Sequence, residues 1–311
     1  MSTLIGTESE RWSLPRAIDA LAESARQAGH PGMVWLAGLV YTLTVGLGFG
    51  WDSGLVHSIE VNRKATETSV LEVLRDFPEK PLQWGLVVVP CLGVLLLPLF
   101  RMTAGLARVG PASAWQAACH GRRTPPLRAI WAEGKGLAVS TFGLWAQLAL
   151  MIAGAAFLGS LPVSALARTI EDPSDDLQAA AVMGALLVPI VIVLVGYALV
   201  LSVLNQFALH SLAHNRRGVY SALLHGWRIM RNDGWATARA VLVDLILLTT
   251  IALGWTAVSG FGNRLGKGGH DLAVIVNLVL TGFAGVTRAG YWARAYRALG
   301  GLAPDDGVPG L

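Results

Sequence analysis

The chain reads as an all-α, polytopic membrane protein, and three observations carry that reading. Of its 311 residues, 53% are hydrophobic and only 14% are Asp, Glu, Lys or Arg, against about a quarter in ordinary soluble domains. The apolar residues gather into six blocks of roughly twenty, the length at which a helix crosses a hydrocarbon core. Trp35, Trp51, Trp84, Trp235, Trp255 and the Tyr291-Trp292 pair stand near the block ends, where amphipathic rings favour the headgroup level. This composition excludes a soluble globular domain and a disordered chain.

The expected spans are 33–50, 82–100, 137–159, 179–204, 236–259 and 272–293, which together make a transmembrane domain over 33–293. In residues 1–32, Glu8, Glu10, Asp19 and Glu23 interrupt the basic-then-apolar layout of a cleavable signal, so the first span is expected to serve as the insertion signal and to remain. Trp12, Leu14, Ile18 and Leu21 in that segment predict an amphipathic surface helix. Between the first two spans, Val70, Leu71, Val73, Leu74 and Phe77 follow helical spacing beside Glu67, Glu72 and Asp76, which predicts a second amphipathic helix on the outer surface. Residues 294–311 form the tail.

Charge sets the orientation. Residues 101–136 carry Arg101, Arg108, Arg122, Arg123, Arg128 and Lys135 against Glu133, and residues 205–239 carry Arg216, Arg217, Arg228, Arg231 and Arg239 against Asp233. The segment 51–81 instead holds four basic and six acidic residues, and 161–177 sets Arg168 against Glu171, Asp172, Asp175 and Asp176. The positive-inside rule places the two Arg-rich loops and both termini in the cytoplasm; only Arg264 and Lys267, in the loop 260–270, run against it. Cys91 and Cys119 fall at different depths on a reducing side, so no disulfide is expected. The Arg residues cluster against the membrane without a nucleic-acid motif, and anionic lipid accounts for them more simply than nucleic acid.

The two basic loops share a pattern. His120-Gly-Arg122-Arg123 and His214-Asn-Arg216-Arg217 are each followed by a short amphipathic segment, 125–134 and 219–230, leading into the next span. The spans before them contain Pro90 and Pro98, and Pro189. A duplicated unit of span, basic helical loop and span fits this layout, although Arg-Arg pairs in such loops are common. On Leu127-Arg-Ala-Ile-Trp131 and Ser221-Ala-Leu-Leu-His-Gly-Trp227, each an Ala-Leu-rich segment with Trp after a basic stretch, the chain resembles six-helix bacterial membrane proteins related to the membrane domain fused to glycerophosphodiester phosphodiesterases. The resemblance is one of layout over most of residues 30–298. It implies a membrane module in a bacterial inner membrane and carries over no catalytic residue, because the phosphodiesterase motifs do not occur in these residues.

Candidate sites are few. Asp244 lies about seven residues into the fifth span and Arg288 reaches a similar depth in the sixth, so the two are natural partners, either as a structural ion pair or as part of a polar relay. His210 and His214 share a helical face, with Cys119 or His120 as further ligands, but the pattern lacks the Glu or paired Cys of a metal motif; they read as interfacial histidines and no metal or other cofactor is expected. Gly38, Thr42, Gly46 and Gly50, and Thr281, Gly285 and Ala289, form small-residue stripes suited to helix packing within the bundle or to a homodimer.

Function classes follow from what is present. The Gly-x-Ser-Gly nucleophile of rhomboid proteases is missing, and Asp244 is the single acid well inside the expected membrane, whereas lipid-transfer chemistry needs clustered aspartates to hold metal and phosphate. An enzyme is not expected. The doubled basic loop points to a non-catalytic module that binds anionic lipid or a membrane-protein partner through His120, Arg122, Arg123, His214, Arg216 and Arg217. The alternative is a transporter or permease subunit with a polar site at Asp244 and Arg288.

Overall fold

The computed structural model describes residues 12–29, 34–46, 96–109, 126–167 and 177–301. Every regular element in them is helical: α1 (Leu14–Ala28), α2 (Val34–Tyr41) running into a π-helical turn (Thr42–Gly46), α3 (96–109), α4 (Pro126–Glu133), α5 (Ala138–Ala167), α6 (Leu177–Asn215), α7 (Val219–Asn232), α8 (Gly234–Arg264) and α9 (Lys267–Ala298). Among the described residues, four stretches are long and apolar enough to cross a membrane, namely Ala138–Gly159, Val188–Asn215, Gly234–Arg264 and Lys267–Ala298. These correspond to the last four expected spans. The first is represented by the shorter apolar helix Trp35–Val45, and of the second only 96–100 is described. The rest of both, the amphipathic helix expected at 66–78, Cys91 and the segment 110–125 with Cys119, His120, Arg122 and Arg123 lie outside the described residues.

α9 is the axis of the packing. Its buried residues run from Ala273 to Tyr296 on all sides of the helix, and α1, α2, α6 and α8 all pack on it. The outer helices are organised the opposite way from a soluble bundle: α6 exposes Val191, Ile192, Val193 and Val195, and α8 exposes Leu242, Leu245, Ile246 and Leu253, whereas Asp244, Thr281, Thr287 and Arg288 are buried. Apolar surface facing outward and polar groups facing inward is the arrangement a hydrocarbon solvent selects.

The small-residue stripes of α2 and α9 meet each other. Gly38 lies against the Gly282 carbonyl and Val286, Gly285 against Gly38 and Thr42, and Gly282 against Trp35, so the two backbones touch where a side chain would hold them apart. Thr42 adds a long hydrogen bond to the Thr281 carbonyl at 3.4 Å.

α8 and α9 form a hairpin with a much tighter turn than the loop expected at 260–270. α8 runs on to Arg264 and α9 starts at Lys267, with Gly266 at φ 78° supplying the left-handed residue the turn requires. Gly262 and Gly269 face each other across it, which lets the helices stay in contact to their ends. Glycines that read as a loop in the sequence are here a close helix contact. α6 likewise outruns its expected end at 204: Phe207, Leu209 and Leu212 are buried, so the helix continues to Asn215. It also passes through Pro189 without interruption. Arg216, at φ 49°, ends it in a conformation usually left to glycine.

Both amphipathic segments after the basic stretches fold back as helices, α4 and α7, and each packs through a glycine contact. Gly105 of α3 meets the Ile130 carbonyl, Gly134 meets Arg101, and Gly226 of α7 meets Leu204, Phe207 and Ala208 of α6. Arg101 donates from Nε to the Trp131 carbonyl at 2.9 Å and lies 4.3 Å over the Trp131 ring, and Arg108 pairs with Glu133 at 3.3 Å. These two arginines are therefore engaged in holding α4 on α3. At the N-terminus, Pro15 starts α1 in its first turn, and the small face Ala17, Ala20, Ser24 and Ala28 is buried. Arg294 reaches Ser24 and pairs with Glu23, while Trp12 packs 6.1 Å from Tyr291. Leu14 and Ile18, part of the expected amphipathic pattern, are exposed. The docking face of α1 is the one made of small residues, because only these let it approach α9 closely.

Candidate functional site

The described residues present two chemically distinct regions: a polar cluster inside the bundle and a basic surface at the end where α6 meets α7. The cluster is built on Asp244 and Arg288. Arg288 Nε and Nη2 donate to the two carboxylate oxygens of Asp244, each at 2.8 Å, and both side chains are less than a tenth exposed. A bidentate guanidinium–carboxylate pair satisfies both carboxylate oxygens and fixes the relative rotation of α8 and α9.

Neutral polar groups extend the pair to two more helices. Tyr41 is close enough to the charges of Arg288 and Asp244 to feel both, and its hydroxyl donates to Gln206 Oε1 on α6 at 2.7 Å. Tyr41 stands where α2 becomes π-helical. Wider turns of this kind re-aim side chains and recur at functional positions; here Thr44, inside the turn, returns its hydroxyl to Val40 and meets Thr103 of α3 at 2.6 Å. On the other flank, Tyr291 donates to the Ala240 carbonyl at 2.9 Å, one turn before Asp244.

Farther along α6, Gln206, His210 and His214 follow at intervals of one turn. The His210 and His214 rings stack at 5.9 Å, and Tyr296 lies 6.0 and 6.2 Å from them. Asn215 Nδ2 donates to both the Tyr296 hydroxyl at 3.0 Å and the Gly301 carbonyl at 2.8 Å. That carbonyl also meets His225 Nε2 of α7 at 3.0 Å, tying the residues after α9 to α7. Burial of the His225 ring, aided by Arg217 and Arg228, holds its pKa below the ordinary imidazole value, partly offset by the Gly301 contact. We expect His225 to titrate below its usual midpoint of about 6.5, measured by NMR on labelled protein, with the midpoint rising in an Arg217→Gln, Arg228→Gln variant.

The basic surface is the outward face of α7. Ala222, Gly226 and Ile229 are buried against the bundle, which turns Tyr220 (75% exposed), Leu224 and Trp227 (49% exposed) outward. Arg228 and Arg231 are exposed beside them, Arg216 is exposed and Arg217 half-buried in the preceding loop. None of these four makes an ion pair among the described residues. Of the residues read from the sequence as sites, Asp244 meets Arg288, while Arg216 and Arg217 stand apart from His214, whose ring is turned into the bundle beside Tyr296. The histidine pair is not interfacial: His210 is fully buried, and among the described residues no group of three or more His, Cys, Asp or Glu gathers into a metal site.

Tyr41, Gln206 and Tyr291 had no place in the sequence reading of the site. Tyr41 is an isolated hydroxyl in an apolar block, and Gln206 fell beyond the expected end of its span, so neither signalled that it faces a charged pair. No protein-family model, curated protein or solved structure matches this chain.

Proposed function

We propose that this protein is a non-catalytic integral membrane module that binds anionic lipid headgroups at its basic end, in the cytoplasmic leaflet. The observation that carries the reading is α7, whose outward stripe sets Tyr220, Leu224 and Trp227 among Arg216, Arg217, Arg228 and Arg231. An aromatic and apolar stripe seats in the acyl boundary while guanidinium groups meet phosphate above it. In the inner polar cluster, by contrast, the two charges Asp244 and Arg288 pair with each other. His120, Arg122 and Arg123 would make the equivalent stretch of the other unit, ahead of α4.

Each Arg near an anionic leaflet contributes about 1 kcal/mol, so replacing Arg217, Arg228 and Arg231 by Gln together removes about 3 kcal/mol, close to a hundredfold in lipid retention. Mass spectrometry of lipids co-purified with the triple variant should show anionic phospholipid depleted relative to zwitterionic lipid, with normal insertion. Arg101 and Arg108 are the control, since their guanidinium groups are already engaged with α4. Undiminished anionic lipid in the triple variant would reduce these arginines to topology signals.

A further inference from the structure

Arg297, near the end of α9, is a half-buried cation without a counterion. Its Nε is buried with no hydrogen-bond partner, and it makes no ion pair among the described residues. The arginines around it are matched: Arg294 pairs with Glu23 and Arg108 with Glu133. Two histidines of α6 stand beside it. The Arg297 charge is close enough to act on both the His210 and His214 rings, and the preceding residue, Tyr296, lies 6.0 and 6.2 Å from them. His210 is fully buried with both ring nitrogens unpartnered, and His214 Nε2, one turn along, is likewise buried and unpartnered. The Ala107 carbonyl of α3 lies beside both rings without hydrogen-bond geometry.

These groups share one deficiency. A guanidinium carries only donors and a neutral imidazole carries one donor and one acceptor, so the cluster lacks a negatively charged acceptor that all three side chains could share. Buried cations are ordinarily paired and buried donors ordinarily bonded. Apolar side chains at 210 and 214 would fill the same positions without the cost of unpaired polar atoms.

We propose that His210, His214 and Arg297 form an inner binding site, between α6 and α9 at the basic end, for a phosphate group that keeps one proton. Its oxygens accept from the imidazole and guanidinium N–H groups in charge-assisted hydrogen bonds. Its O–H donates to a ring nitrogen that carries no proton, which a carboxylate cannot do. His210 is the deep contact. His214 and Arg297 are partly exposed and form the mouth, where entry needs only the change of side-chain rotamer that commonly accompanies binding. Arg108, whose charge also reaches His214, adds to the positive field. The chemistry fits inorganic phosphate or a phosphate monoester on a lipid, since both retain a proton near neutral pH. The site goes beyond the lipid-binding reading: no arginine of the α7 surface takes part, and it stands if that reading falls.

The test is NMR of the ring nitrogens in protein carrying isotope-labelled histidine, in a detergent free of phosphate, at about pH 7. Inorganic phosphate is titrated in one arm and phosphatidic acid in the other, with sodium chloride at matched ionic strength as control. His210→Phe and His214→Phe assign the two signals. We expect both signals to shift saturably, with half-saturation at about 1 mM or below, and Arg297→Gln to raise that midpoint at least about tenfold. A response to inorganic phosphate identifies a soluble source, and a response to phosphatidic acid alone identifies a lipid. His214→Phe, read at the His210 signal and expected to weaken binding in the same way, keeps the test available if Arg297→Gln does not fold, as judged by gel filtration. No shift in either arm, an equal shift with chloride, or an unchanged midpoint in a folded variant would overturn the site. The readout is at the rings and does not depend on how much lipid the α7 surface retains.

Discussion

Replacing Asp244 by Asn, or Arg288 by Gln, is expected to reduce the folded yield more than any other change of a polar residue, by the equivalent of about 3–5 kcal/mol. The reason is asymmetry. The intact pair places both charges in two direct hydrogen bonds at 2.8 Å, whereas either single change removes this bidentate contact from a charge buried in an apolar bundle. The double change removes both charges and should recover part of the yield, since Asn and Gln can hydrogen-bond each other across the same gap. Thermal unfolding in detergent, followed by tryptophan fluorescence, measures the three variants on one scale. Additive losses in the double variant would mean that the two side chains stabilise the bundle separately.

The parts of this molecule that were legible in the sequence are those where the membrane makes a residue type costly. A lone carboxylate and a lone guanidinium in apolar blocks identify each other, because hydrocarbon leaves them no cheaper partner. Blocks of twenty apolar residues identify long helices for the same reason, and α5, α6, α8 and α9 follow them. Neutral polar residues carry no such signal: Tyr41 and Gln206 are tolerated in many settings, and which helix faces meet depends on packing that a single sequence does not encode. Helix ends were misjudged where sequence and context pull apart. Gly260, Gly262, Gly266, Gly268 and Gly269 read as a loop, yet all but Gly266 remain helical, and Gly262 and Gly269 do so where two antiparallel helices in contact leave no room for a side chain. The segment 205–215 was counted with the basic loop, and its histidines, although placed on one helical face, were read as interfacial, yet His210 and Gln206 face inward. Leu14 and Ile18 marked α1 as an amphipathic surface helix, and the sequence did not show that its small face, Ala17, Ala20, Ser24 and Ala28, is the one that packs.

Gly38 gives the second large effect. In a helix exposed to solvent or lipid, Gly to a larger residue is stabilising by up to about 1 kcal/mol, and Gly196 and Gly254, with nothing within 4 Å of an added carbon, should behave in that way when changed to Ala. At Gly38 the added carbon would strike the Gly282 carbonyl and come within 2.8 Å of the Val286 nitrogen. Both are backbone atoms of α9 and cannot rotate away. Separation of α2 from α9 is the only relief, and it also strains the contacts at Gly282, Gly285 and Thr42 and draws Tyr41 away from Gln206. Gly38→Val should therefore cost at least about 1–3 kcal/mol, with Gly285→Val similar, and the two together should be less than additive because either change already parts the helices. The measurement is again thermal unfolding, alongside Gly196→Ala and Gly254→Ala as controls. If the stripes served a contact between copies of the chain instead, Gly38→Val would lower the oligomer fraction in crosslinking while leaving the unfolding temperature of the monomer unchanged, and that result would contradict the packing of α2 on α9.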